Sequence, residues 1–183
     1  MKIDGSHLKF SFKGKKGVYH NIELHSKRLA HIVKQCRDIP GQELFQYFDA
    51  DGERRPIDSG MVNDYIKEIS SAHFTSKDFR TWAGTAYAFE AFHDLGCCET
   101  EAETKKKVVE ALDIVAGRLG NTRTVCRKYY VHPAIIDHYS NRTIEKYFDA
   151  LEKAEKTDNL DLSAGERVLM QILRDMKSVV ICA

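Results

Sequence analysis

Tyr130 closes the run Leu119-Gly120-Asn121-Thr122-Arg123-Thr124-Val125-Cys126-Arg127-Lys128-Tyr129-Tyr130, nine positions after Asn121 and just behind a set of basic residues. A lone tyrosine phenol is a poor nucleophile near neutral pH, with a pKa of about 10. It becomes useful when cationic and hydrogen-bonding groups converge on the phosphate it attacks. Two other segments carry such groups. Lys13-Gly14-Lys15-Lys16-Gly17 places lysines on a glycine-bounded turn, and Lys77-Asp78-Phe79-Arg80-Thr81-Trp82 opens a helical pattern. The guanidinium of Arg80 can match two phosphate oxygens as a fork, which an ammonium cannot. An ammonium on a turn can protonate a leaving oxygen. Alone, each residue has a plain reading. Tyr130 is then a half-buried aromatic closing a helix, Arg80 a surface ion pair, the lysine turn a solvated loop, and Asn121 the residue after a glycine C-cap. Their combination carries the chemistry.

The elements that must position these groups can be read from period. Leu8, Phe10 and Phe12 alternate with polar residues, as do Val18, His20, Ile22 and Leu24 beyond the Gly14–Gly17 turn. That pattern predicts a β-hairpin. Ser26 is an N-cap signal for a helix from Lys27 to about Arg37. A short strand over Glu43–Phe48 and a turn at Asp49-Ala50-Asp51-Gly52 follow. The acidic turn does not complete a calcium-binding loop. A helix over Ser59–Ser70 should turn Met61, Val62, Tyr65, Ile66 and Ile69 inward. From Ser76 the pattern is helical, with Phe79, Trp82, Ala86, Phe89 and Phe92 as one buried stripe. Glu101–Leu119 is the next helix, with Gly120 as C-cap; then Thr122–Tyr130, stopped before Pro133; then about His132–Ser140, Thr143–Lys156 and Ser163–Lys177. The expected class is mainly α with a small N-terminal β-hairpin (α+β). Residues 1–156 form the main domain, and 157–183 a C-terminal helical segment of the same domain.

Composition narrows the classes. No apolar run is long enough to span a bilayer. Met1-Lys2-Ile3-Asp4-Gly5 lacks the apolar stretch of a signal peptide. Cys36, Cys97, Cys98, Cys126 and Cys182 are odd in number and show no metal-type spacing, so reduced thiols in a cytoplasmic protein are the simplest reading. His20, His25 and His31 lie near one another in sequence without a supporting carboxylate cluster, and no metal site is expected. The net charge of +1 argues weakly against nucleic-acid binding, but residues 1–37 hold nine Lys/Arg against two Asp/Glu. A basic front with an acidic rear suits a polyanion on one face.

The three motifs, in this order, resemble the catalytic core of type IB DNA topoisomerases, in their poxvirus-like and bacterial branch. The resemblance runs from about Leu8 to the last helices. Phe12-Lys13-Gly14-Lys15 looks like the family's Phe-x-Gly-Lys turn, Lys77 to Thr81 like its Lys-Asp-Leu/Phe-Arg-Thr motif, and Leu119-Gly120-Asn121-Thr122 like the turn preceding its nucleophile. The resemblance implies the fold of the DNA breaking-rejoining enzymes. It implies a single-strand break and reseal in duplex DNA through a 3′-phosphotyrosyl bond, relaxing supercoils without cofactor, metal or ATP. Tyr130 is then the nucleophile, Arg80 the phosphate clamp, Lys15 the general acid, with Lys16 and Lys13 as its rivals on the same turn, and Asn121 an amide donor. Lys77, Lys16, Arg123, Arg127 and Lys128 are further DNA contacts. The expected partner is duplex DNA, bound by a monomer associated with the nucleoid.

Two departures stand out. Viral members have histidine where Asn121 stands; bacterial members resemble this chain. An amide can donate to a phosphate oxygen but cannot shuttle a proton. The family also uses a first arginine upstream of the hairpin, and only fourteen residues precede Lys15. The expectation is therefore a C-terminal piece of the catalytic domain or a truncated gene product, served by a separate N-terminal portion; only full-rate relaxation by this chain alone would make Lys77 or Arg123 the substitute for that arginine. Two rival readings remain. A tyrosine recombinase resembles this pattern but favours His-x-x-Arg and Leu-Gly-His, against Lys77-Asp78-Phe79-Arg80 and Leu119-Gly120-Asn121 here. A non-catalytic DNA-binding remnant is the other.

Overall fold

The computed structural model describes residues 1–14, 17, 19–41, 43–154 and 162–181, with 177–181 as helix backbone alone. Two compact units result, Met1–Thr75 and Ser76–Ala183. The main division thus falls at Thr75, inside the span 1–156 expected to be one domain. Residues 155–161, around the expected start of the C-terminal segment at 157, lie outside the described residues.

In the first unit β1 (Lys2–Asp4), β2 (His7–Lys13) and β3 (Tyr19–His25) form an antiparallel sheet in that order. The register sets Leu8 opposite Leu24, Phe10 opposite Ile22 and Phe12 opposite His20. This is the pairing the alternation requires, because a one-residue slip would move every apolar side chain to the other face. Gly17 closes the turn with φ +79° and its N–H on the Gly14 carbonyl at 3.1 Å. Lys15 and Lys16 lie outside the described residues. Helix α1 (Lys27–Asp38) starts at Ser26, whose Oγ accepts the Leu29 N–H. Its Ala30 and Val33 bury against Leu8 in a small core. Strands β4 (Gln46–Phe48) and β5 (Arg54–Pro56) pair around the acidic turn. Asp49 accepts the N–H groups of Asp51 and Glu53 and an ion pair from Arg55. Its carboxyl is held below the usual range, first by Arg55, so the turn uses its acid on itself.

Helix α2 (Ser59–Ser70) has the expected bounds, capped by Asp58, but not the expected burial. Met61, Val62, Tyr65 and Ile69 are exposed, and no α2 residue is buried. Helical spacing says which side chains share a face; it does not say that another element covers that face.

The second unit is all helix: α3 (Ser76–Leu95), α4 (Glu101–Leu119), α5 (Arg123–Tyr129), α6 (Pro133–Ser140), α7 (Glu145–Lys153) and α8 (Ala164–Ile181). Helix α3 packs against α4, α6 and α8. Phe89 and Phe92 of α3, Leu112 and Val115 of α4, Ile135 of α6 and Leu169 of α8 are wholly buried in one core. Each such side chain contributes about 1.5–3 kcal/mol. The stripe predicted for α3 fails at one end, where Phe79 is 63% exposed. Trp82 does anchor the helix, donating Nε1–H to Glu166 Oε1 at 2.7 Å. Glu166 and Ser163 form a reciprocal cap at the start of α8. Lys107 of α4 caps the far end of α3 by donating to the Leu95 carbonyl at 2.7 Å. Among the described residues no helix is long and apolar enough to cross a membrane.

Candidate active site

Helix α4 ends in a left-handed Gly120, φ 61°, with the Asn121 N–H returning to the Ala116 carbonyl at 2.9 Å. Glycine adopts this conformation without a Cβ penalty. The Leu119 carbonyl is one of the last four of the helix and has no intrahelical partner. It accepts two donors instead, Arg80 Nη2 at 2.8 Å and Asn121 Nδ2 at 3.2 Å. The negative end of the helix dipole favours a guanidinium there. The Arg80 guanidinium carbon also lies 5.1 Å from the centroid of the Tyr130 ring. Arg80, Asn121 and Tyr130 therefore come together, although they stem from α3, the α4–α5 turn and the end of α5. Arg80 is exposed, and the bond to Leu119 engages only one of its two terminal nitrogens. The other donors of its fork can face an anion.

Tyr130 is the C-cap of α5, with φ −126° and its N–H on the Cys126 carbonyl at 3.0 Å. Helix α3 sets its place. A Cβ at Gly84 would stand 2.5 Å from the Tyr130 carbonyl oxygen and 3.1 Å from its Cβ, so only glycine permits this approach. One turn earlier Thr81 Oγ1 lies 3.4 Å from the Tyr129 carbonyl, and Thr85 Oγ1 lies 3.3 Å from that of Tyr130. The neighbouring Tyr129 is 49% exposed. The ammonium groups of Lys77 and Lys128 lie 5.8 and 5.2 Å from its ring centroid. The two tyrosines thus have different company, lysines for Tyr129 and the arginine for Tyr130.

The remaining basic candidates separate. Arg123 is held by Asp113 of α4 through two bonds of 2.7 and 2.6 Å. That pairing keeps the Asp113 carboxyl below its usual range. Arg127 and Lys128, with Arg123, Thr124 and Val109, line an open groove of about 530 Å³ between α4 and α5. Behind them Cys126 is buried; burial pushes its thiol up, while nearby Arg80 pulls it down. Among the described residues no group of three His, Cys, Asp or Glu stands close enough to share a metal ion. Sequence reading missed Gly84, Thr85 and the Leu119 carbonyl. The Thr81–Gly84–Thr85 spacing on the face of α3 that carries Arg80 was the available signal, since small residues let backbones approach. A backbone carbonyl leaves no trace in side-chain pattern.

A mainly helical unit that brings an arginine, an amide and a tyrosine to one point, preceded by a basic hairpin, defines a class. The chain belongs to the family described as eukaryotic DNA topoisomerase I, catalytic core, which it matches over residues 1–158. That match takes in all of the first unit and the second through α7. A curated relative, DNA topoisomerase 1B of Acanthamoeba polyphaga mimivirus, is 30% identical over 152 residues, covering 77% of this chain and 44% of the relative. The chain spans less than half the length of that relative.

Proposed function

We propose that this chain performs the transesterification of a type IB DNA topoisomerase, cleaving and resealing one strand of duplex DNA. The observation that carries it is the Arg80 guanidinium, over the Tyr130 ring at 5.1 Å from its centroid and sharing the Leu119 carbonyl with Asn121. The Tyr130 phenol oxygen attacks phosphorus and gives its proton to solvent water. A bond from that oxygen to phosphorus forms, and the bond from phosphorus to the 5′ oxygen breaks. Arg80 takes the charge that develops on two non-bridging oxygens, and Asn121 donates to one of them. The Lys15 ammonium gives its proton to the leaving 5′ oxygen. Reversal reseals the strand and needs no ATP, because the phosphotyrosyl bond keeps the phosphodiester energy. Neither metal nor cofactor is required, since these cations serve the phosphate. Lys16, Lys77, Arg127 and Lys128 hold the DNA backbone. Within this chain Lys77 is the better second cation for the phosphate, because Arg123 is occupied by Asp113. The protein works as a monomer where DNA is, in the nucleoid, together with any further portion of its own polypeptide.

The test is covalent trapping on a nicked duplex whose 5′-hydroxyl strand can leave. We expect an adduct stable to detergent on the DNA 3′ end, lost in Tyr130→Phe with duplex binding retained. Duplex binding with no adduct from the parent chain would favour the non-catalytic remnant. Strand transfer confined to one DNA sequence would favour the recombinase.

A further inference from the structure

We propose that Thr85 is a positioning residue for Tyr130: its buried hydroxyl holds the Tyr130–His132 turn on α3, one helical turn beyond Arg80, and so sets the distance between clamp and phenol. This rests on the transesterification reading above. Among the described residues the buried polar side chains are Thr85 and Thr104. Thr104 serves its own helix, donating to the Thr100 carbonyl at 2.9 Å. Thr85 does more. Its Oγ1 accepts the His132 N–H at 3.1 Å, and lies 2.7 Å from the Thr81 carbonyl and 3.3 Å from that of Tyr130. A hydroxyl has one proton and two lone pairs. It therefore always accepts from His132 and donates to one of the two carbonyls. The accepted bond pins the backbone two residues past the nucleophile, and the donated one can pin the nucleophile's own carbonyl.

Geometry makes this consequential. Thr81 and Thr85 are four apart on α3, as are Arg80 and Gly84, so all four lie along one side of the helix. The clamp and the seat of the nucleophile are thus cut into one rigid element. Gly84 lets the Tyr130 backbone come close enough for the Thr85 hydroxyl to reach across. Without that hydroxyl the His132 N–H loses its partner, and the turn must shift to find another. Any shift carries the Tyr130 ring away from Arg80. A threonine that merely stabilised the fold would change melting temperature but not the rate of the folded, DNA-saturated protein.

The experiment compares Thr85→Ser, Thr85→Ala and Thr85→Val in single-turnover adduct formation at saturating duplex. Serine and alanine are nearly equal in size and differ by the hydroxyl. Alanine and valine should slow cleavage by about tenfold or more, since a misplacement of about 1 Å can cost about 10²-fold. Serine should stay near the parent rate, and duplex affinity should be unchanged in all three. If valine fails to fold, the serine–alanine pair decides. A second readout needs no turnover. In NMR spectra Thr85→Ala should speed amide exchange at His132 and remove the ring-current shift of Tyr130 on the Arg80 side chain, while serine keeps both. A parent chain that forms no adduct would defeat the transesterification reading, and this NMR comparison would still judge Thr85. Equal rates for serine and alanine, or an Arg80–Tyr130 contact undisturbed in Thr85→Ala, would overturn the proposal.

Discussion

At the scale of single residues, the two adjacent tyrosines give the sharpest contrast. Tyr130 is half-buried under Arg80, whereas Tyr129 is exposed between Lys77 and Lys128. Tyr129→Phe should keep covalent trapping near the parent level, and Tyr130→Phe should remove it. Trapping by Tyr130→Phe with loss in Tyr129→Phe would reverse the assignment. Arg80 makes a directed bond to Leu119 as well as carrying charge. Lysine keeps the charge and loses the fork. By analogy with removal of an oxyanion donor, Arg80→Ala should slow cleavage roughly 10²–10³-fold, and Arg80→Lys should recover little of that. Recovery to the parent rate by lysine would mean that charge alone suffices. Single-turnover rates at saturating duplex decide it.

At the scale of elements, the site is made by helix ends and by one close crossing. Gly84→Ala tests the crossing. In an exposed helix the change would favour folding by up to about 1 kcal/mol. Here the new Cβ meets a backbone oxygen at 2.5 Å, and backbone cannot rotate aside as a side chain can. Overpacking of this kind costs about 1–3 kcal/mol and wins. We expect a lower midpoint in urea and slower cleavage; a stabilised, fully active Gly84→Ala would refute the contact. The tie between α3 and α8 gives a pH prediction. The Glu166 carboxyl is held below its ordinary value of 4.5, first by the Trp82 N–H and then by the Ser163 backbone. A depressed folded pKa contributes stability that is complete above the unfolded value and is lost as pH falls through the folded one. Melting temperature should therefore drop as pH is lowered past 4.5, and Glu166→Gln should flatten that part of the curve. An identical acid limb in the variant would remove Glu166 from the account.

At the scale of the whole molecule, charge is sorted by use. Arg123, Arg127 and Lys128 line one open groove, and of the three Arg123 is paired with Asp113. Phosphate contacts release counterions, so duplex affinity should fall steeply with salt, and each lost contact should reduce the slope of log K against log salt by about 0.9. Arg127→Ala and Lys128→Ala should each do so. Arg123→Ala should leave the slope nearly unchanged and act through the anchoring of α5 on α4. A slope change in Arg123→Ala equal to the others would show that the arginine leaves Asp113 for DNA. The division at Thr75 puts the lysine turn and the Arg80–Asn121–Tyr130 cluster in different units, each with its own core.

Local order was legible without coordinates. The alternation around Gly14–Gly17 specified a hairpin, and Gly120 after Leu119 specified a helix stop. The bounds of α2 and α4 follow from caps and a 3.6-residue period, which are properties of neighbouring residues. Strands β1 and β5, three residues each, were too short to show a period. The motif spacing singled out Arg80, Asn121 and Tyr130, which the folded chain brings together. Tertiary structure alone decided how they meet. The Leu119 carbonyl lies thirty-nine positions from Arg80, and Glu166 eighty-four from Trp82. It also decided that Phe79 and the apolar face of α2 stay exposed, and that Arg123 belongs to Asp113. Periodicity reports which side chains share a face; what lies opposite depends on how distant segments pack, and that is set by the fold as a whole.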